Sequence, residues 1–387
     1  MSAASVKGWC PGALRPMQSG DGLVVRVRPF GGRLEASQVA GLADLAERYG
    51  NGLIDVTIRA NLQIRGVTEQ SHRRLLDGLA LLRLLDPDTD IEARRNILVT
   101  PFWTIGDETQ ALAAELEEAL ANSALALPTK FGFAIDDGKA RVLAGDSADV
   151  RIERDRDGRL LVRADGARCG RSVGRGEAVS TALALADWFV ASGGAKGGRG
   201  RMAVHIAAGA SLPQDLNGDT EPAPVMAASR PGQYPHGALV GVAFGQMLHT
   251  TLHQFSGCGH ALRMTPWRMV LSEGKREMPS GAGLITERYD PALRVIACSG
   301  APRCREAHAD TRALAAALAP RIALDTRLHV SGCAKGCAHS GASPVTMVAT
   351  SAGFDLVRGC TTRYEPVLRG LNAADIVIDP SILVGGH

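Results

Sequence analysis

Two stretches of the chain follow one plan. Residues 22–34, GLVVRVRPFGGRL, and residues 237–248, GALVGVAFGQML, each combine alternating apolar positions, a glycine turn and a following leucine. A helical pattern follows each. In EASQVAGLADLAERY (35–49), Val39, Leu42 and Leu45 fall at helical spacing before Gly50 and Gly52, and the later counterpart is the short LHTTLHQF. Residues 53–67, LIDVTIRANLQIRGV, alternate as one strand, and HALRMTPWRMVL echoes them. A helix over 69–84 completes a β-α-β-α unit. The offset of about 210 residues is far longer than a solenoid period, so a whole half is duplicated. The predicted class is α+β, built as two related halves.

Each half runs on into a second α/β region. The first spans about 95–205, with helices at 107–122 and 177–191 and strands near 130–163; the second spans about 292–385. Between the halves, 206–236 carries Pro213, Pro222, Pro224, Pro231 and Pro235 among Gly, Ser and Asp, and reads as a linker. The expected boundaries are 1–90, 91–205, the linker 206–236, 237–288 and 289–387. With 45 % hydrophobic and 21 % charged residues, the chain is neither disordered nor a coiled coil. No apolar run approaches the ~18 residues of a membrane span. The N-terminal MSAASVKGWCPGALRPM lacks the apolar stretch of a secretion signal. A cytoplasmic protein with no membrane partner is therefore expected, its eight cysteines reduced or metal-bound. Net charge is only +3, which does not indicate a nucleic-acid partner. Of 43 basic residues, 37 are arginine, whose planar fork suits a polycarboxylate ligand.

The chemistry is concentrated in Cys298 and Cys304 of ACSGAPRCREA and Cys333 and Cys337 of HVSGCAKGCAHSG. The spacing is C-x5-C, 28 residues, then C-x3-C. Four thiolates on two loops match a 4Fe–4S cube, one sulfur per iron. Structural zinc uses tighter pairs, and disulfides do not suit the cytoplasm. Gly300, Gly332 and Gly336 let the backbone fold closely around the sulfurs. Arg305–Leu318 reads as a helix between the pairs and Leu328–Val330 as a strand leading to the second pair. Cys10, Cys169, Cys258 and Cys360 read as small apolar residues.

This cysteine pattern, in the second half of a duplicated chain, resembles the sulfite and nitrite reductase superfamily. The resemblance implies two ferredoxin-like α/β modules plus two larger α/β cluster- and tetrapyrrole-binding regions. Thr57-Ile58-Arg59-Ala60-Asn61-Leu62-Gln63, Arg94-Arg95-Asn96 and Thr129-Lys130-Phe131 resemble that group's tetrapyrrole-contacting segments in order. GWCPGALRPMQSGDGLVVRVRPFGG, KFGFAIDDG and SGCAKGCAHSG are similar to the precorrin-3B synthase family within it. That similarity implies hydroxylation of precorrin-3A by dioxygen, closure of a ring acetate to a lactone, a 4Fe–4S cluster and a mononuclear non-haem iron. Sirohaem belongs only to the alternative, a sulfite or nitrite reductase. In that alternative Cys337 would also bridge the cluster to the sirohaem iron. A bare iron–sulfur carrier would need neither the duplication nor the arginines.

Lys130 and Arg95 are the expected catalytic residues. Strand alternation puts Arg26 with Arg28, and Arg59 with Asn61, Gln63 and Arg65, on shared faces toward the ligand. Asn96, Arg263 and Arg268 complete the expected substrate contacts. The reductases carry a second lysine two places after the first; here that position is Gly132, expected to leave room for a bulkier ring in place of a cation. His249 and His253 share a helical face and read as flanking residues, although their spacing can chelate metal. His308 and His339 read as edge residues near the cysteines. The glycine-rich GRSVGRG (170–176) and GGAKGGRG (193–200) match no nucleotide fingerprint, so an external reductase or ferredoxin-type donor must supply electrons.

Overall fold

The computed structural model describes residues 11–257, 259–274 and 278–383, so Cys10 and Cys258 lie outside the described residues. The described residues form four mixed or antiparallel sheets, in two matched pairs.

The first pair comes from the repeated modules. In the first, Met17–Ser19, Gly22–Val27, Leu62–Val67 and Leu53–Val56 lie side by side, and the fifth strand, Gln246–Leu248, comes from the other half. In the second, Gly232–Tyr234, Gly237–Val242, Met269–Glu273 and Leu262–Met264 are completed by Arg33–Leu34 of the first half. Each half thus lends the other a short strand. The crossing follows a tight turn with left-handed backbone at Gly31 and Gly32 (φ 57° and 68°), matched by Phe244 and Gly245 (φ 53° and 68°). Helix Ala36–Tyr49 buries Val39, Leu42, Ala43 and Ala46 and starts with a capping box between Glu35 and Gln38. It packs beside His249–Ser256, which buries Leu252 and Phe255. One apolar core therefore joins both modules, from Val25 and Leu62 to Val240 and Val270.

The continuous strand expected over 53–67 is instead a hairpin. Thr57–Asn61 turns the chain, with Thr57 Oγ1 accepting from the Arg59 and Asn61 amides at 3.2 Å each and Ala60 at φ 53°. The echoing stretch breaks the same way at Thr265–Arg268, where Arg268 has φ 57°. Polar residues at every second position carried the strand period straight through the turn, and neither turn holds a glycine to mark it.

The second pair of sheets is α/β. Ile97–Val99, Phe133–Asp136 and Val150–Arg154 are parallel, continued by the antiparallel Leu160–Ala164 and Arg171–Ser172. Val295–Ala297, Leu328–Ser331 and Ser343–Thr350 are parallel likewise, continued by Gly353–Cys360 and Leu368–Leu371. Each parallel run has its own apolar core. The helix expected from Arg305 begins only at Thr311, capped by Asp310; the preceding residues fold as turns. The proline-rich 206–236 stretch is pinned to the first half by bridges from Thr220 to Gly170, Pro222 to Asp155 and Val225 to Arg141. Its end, Gly232–Tyr234, is a strand of the second module. Among the described residues no helix is long and apolar enough to cross a membrane.

Arg263 shows how the halves are locked. It is buried on Leu262–Met264, where Nε donates to Glu273 at 2.7 Å and Nη1 to the Pro101 and Trp103 carbonyls at 2.8 and 2.5 Å, and its guanidinium lies 3.6 Å from the Trp103 ring centre. Arg263→Ala should lower stability by about 3–5 kcal/mol in denaturant unfolding. Arg168→Ala, which removes an exposed ion pair with Glu221, should leave the midpoint where it is.

Candidate functional site

The cysteines sit at the carboxyl ends of two adjacent parallel strands, a usual ligand position in open α/β sheets. Val295–Ala297 runs directly into Cys298, and Leu328–Ser331 into Gly332 and Cys333. Between them the chain turns tightly: the Cys304 amide donates to Gly300 O at 2.8 Å, and the His308 amide to Gly332 O at 2.9 Å, tying the two loops together. Gly332 N–H points at Cys298 Sγ from 3.2 Å, and Thr311 Oγ1 is 3.7 Å from that sulfur. A Cβ on Gly332 would stand 2.7 Å from Ala307 Cβ, and one on Gly300 2.6 Å from Thr311 Oγ1. Both glycines are thus demanded by close approach.

Burial first, and the neighbouring cysteines after it, push the Cys333 and Cys337 thiols above the ordinary thiol range. The four sulfurs therefore share one electrostatic neighbourhood, which bound iron would reverse by deprotonating each thiol. Among the described residues no three His, Cys, Asp or Glu side chains converge on a single ion. A cube asks for a wider set, one thiolate per iron. Four thiols, a backbone N–H aimed at sulfur and two obligatory glycines fit a 4Fe–4S cluster. No ligand set for a mononuclear iron accompanies them among the described residues. His253 instead meets Asp44 at 2.7 Å and His249 meets Glu47 at 3.8 Å, both acids lying on the helix packed alongside. His339 stacks edge-on against His329, ring centres 5.7 Å apart.

The hairpin sheet faces this site. Arg26, Gln63, Asp55 and Gln246 lie opposite one another in a row across four strands. With the Gln63 amide oxygen turned toward Arg26, Nε and Nη2 are 3.2 and 2.9 Å away. Asp55 collects Gln246 Nε2 at 2.8 Å, Arg312 Nη2 at 3.1 Å and Arg65 Nη1 at 3.0 Å. Arg268 donates to the carbonyl of Ala338, the residue after Cys337, at 2.9 Å. Sequence reasoning passed over Asp55, Gln246, Arg312 and His329. Its one available signal was a lone polar residue inside an apolar strand, as in LIDV and LHV.

The expected contact residues divide. Arg59 is on the turn, apart from the strand face of Gln63 and Arg65, and its Nη2 reaches the carbonyl of Lys130 at 3.3 Å. That contact is to the Lys130 backbone, and the Lys130 side chain is exposed. Arg28, Arg65 and Arg95 are buried against protein partners. Arg95 holds Asp86 through two 2.7 Å bonds, reaches Arg28 O at 3.0 Å and lies over the Phe30 ring. Arg28 meets Glu92. Asn96 donates to Phe131 O at 2.8 Å. Gly132 was expected to leave room for a bulkier ring, and it does not. It is buried before the strand Phe133–Asp136 begins, and a Cβ there would stand 2.7 Å from Asn96 Nδ2.

A model of the nitrite/sulfite reductase ferredoxin-like half domain matches residues 15–82. The precorrin-3B synthase of Sinorhizobium sp is 32 % identical over 391 residues, covering 92 % of this chain and 83 % of that protein. The ferredoxin–nitrite reductase of Synechococcus elongatus is 29 % identical over 147 residues, 35 % of this chain and 28 % of that one. The sulfite reductase [NADPH] hemoprotein beta-component of Shouchella clausii is 32 % identical over 102 residues, 25 % of this chain and 18 % of that one. Among solved structures, the Mycobacterium tuberculosis NirA protein shares the fold, with TM-score 0.58 at 15 % identity over 92 % of this chain and 79 % of that one.

Changing Cys298 and Cys333 together to Ser should abolish bound iron and acid-labile sulfide in protein purified without air. A full complement of sulfide in that variant would remove the cluster from these loops.

Proposed function

Because the chain belongs to the precorrin-3B synthase family and itself shares the fold of the NirA protein, we propose that it converts precorrin-3A to precorrin-3B in cobalamin biosynthesis, using dioxygen in the cytoplasm. Enzyme relatives along most of the chain make it an oxidoreductase-type protein. The observation that carries the finer reading is the row from Arg26 to Asp55, which runs to the cysteine loops through Arg65 and Arg312.

A tetrapyrrole edged with carboxylates needs fixed donors around it. Arg26, Arg59 and Lys130 are the cations we assign to it, since their side chains keep access to solvent whereas Arg28, Arg65, Arg95 and Arg263 are buried. The 4Fe–4S cluster supplies one-electron transfer when bound. In the net reaction one atom of dioxygen becomes a hydroxyl on a meso carbon and the other leaves as water. Two electrons and two protons enter through an external reductase or ferredoxin-type donor, and a ring acetate closes as a lactone. Reduction of a small oxyanion calls for clustered cations over that anion. At Gly132 a lysine could not enter without displacing Asn96. The missing cation thus disfavours the reductase alternative for a reason of packing.

In labelled dioxygen, one labelled atom should appear in the tetrapyrrole product. Label derived from water alone, or rapid sulfite or nitrite turnover with an artificial donor, would move the protein to the reductases. Arg59→Ala should weaken tetrapyrrole binding ten- to hundredfold, the worth of one charge-assisted bond of about 1.5–3 kcal/mol. Unchanged affinity in a folded variant would put Arg59 outside the pocket.

A further inference from the structure

Between the hairpin of the first module and the two cysteine loops lies a polar cluster whose hydrogen-bonding capacity the protein uses only in part. His329 is 0 % exposed, and neither ring nitrogen has a partner. Its strand neighbours Leu328 and Val330 point into the apolar core, so His329 points to the opposite face. Arg312 gives Nη2 to Asp55, yet its buried Nε and Nη1 meet nothing. Arg268 stands within electrostatic reach of both, and of Cys298. Burial and the charge of Arg312 pull the Arg268 guanidinium down to about 10, while burial, His339 and Arg268 hold His329 at about 4, so the imidazole is neutral.

Two half-buried guanidiniums that repel each other, beside a buried imidazole with no hydrogen-bond partner, are costly in isolation. Asp55 offsets only part of this, because Arg65 and Gln246 also draw on its two oxygens. An acceptor-only group of negative charge would satisfy the orphaned nitrogens and the repulsion together. A carboxylate does so with two oxygens and several lone pairs.

We propose that Arg268, Arg312 and His329 form an oxyanion subsite beside the cysteine loops, filled by one peripheral carboxylate of the tetrapyrrole. The proposal rests on the function proposed above and adds a fixed anchor for the ring beside the cysteine loops. A small inorganic oxyanion offers the same chemistry, so the test separates the two sources.

The test uses the cluster-loaded protein and uroporphyrin III, a stable octacarboxylate tetrapyrrole, in a fluorescence-quenching titration, with the cluster midpoint potential measured in parallel. Arg312→Gln should raise the dissociation constant roughly tenfold or more, Arg312→Lys should recover part of the loss, and Arg168→Gln should change nothing. Iron and sulfide content should match the parent. If Arg312→Gln loses its cluster, His329→Gln takes its place with the same expected loss. Unchanged affinity in the variants would overturn the subsite while leaving the proposed function standing. Unchanged affinity with a shifted midpoint potential would overturn it too, and give the arginines to the cluster. Competitive displacement of uroporphyrin by sulfite or nitrite, abolished in Arg312→Gln, would give the site to an inorganic anion and overturn the carboxylate assignment. No binding by the parent protein would sink the proposed function itself.

Discussion

The geometry of the candidate site depends on one buried guanidinium. Arg65 is 3 % exposed and spends its donors on Asp21 at 2.6 and 2.9 Å, Asp55 at 3.0 Å, Ser19 at 3.1 Å and the carbonyl of Arg303 at 3.1 Å. Its charge survives burial because the two carboxylates hold its pKa above the usual arginine value. Arg303 O also takes Ser19 Oγ at 2.6 Å and the Gly20 amide at 2.9 Å. That carbonyl lies between Cys298 and Cys304. A residue on the first half's sheet therefore sets where the first cysteine loop of the second half can sit. A buried ion pair adds little net stability over apolar packing, but losing one partner strands a charge. Its value here is in fixing position.

The two α/β regions share a scaffold and differ in what they place at its working end. Cys298 and Cys333 leave the parallel strands of the second region. At the corresponding end of the first, Thr109 Oγ1 donates to Asp137 at 2.7 Å and Arg154 reaches the Asp137 carbonyl at 2.8 Å. That end is closed by its own side chains. Duplication supplied two ends, and the four-cysteine pattern sits at one of them, so the chemistry belongs to the residues and not to the fold.

The duplication, the module helices and the cysteine loops were legible because each leaves a local mark: a period, a glycine stop or a thiol spacing. The arginines were not legible, because one side chain serves two physical ends. Arg95 and Arg28 looked like ligand contacts until Asp86, Glu92 and Glu117 were seen to meet them. Alternation could not separate Arg59 from Arg65, since a turn without glycine keeps the polar period. Gly132 was legible as a missing cation but not as a packing demand, because Asn96 is brought to it only by the fold. His329 and Arg312 gave no pattern at all. What marks them is the absence of a partner, a property of three dimensions.

The lent strands set the order in which the protein can be assembled. Leu53–Val56 pairs with Gln246–Leu248, about 190 residues later in the chain. At ribosomal speeds of ~5–20 residues per second, that edge waits roughly 10–40 s for its partner. During that interval the newly made half presents an open strand edge, the feature that templates pairing between chains. A charge in mid-edge is a known guard against such pairing, and the waiting strand carries one, Asp55. The carboxylate that later gathers Arg65, Arg312 and Gln246 would thus first protect the unfinished chain on the ribosome.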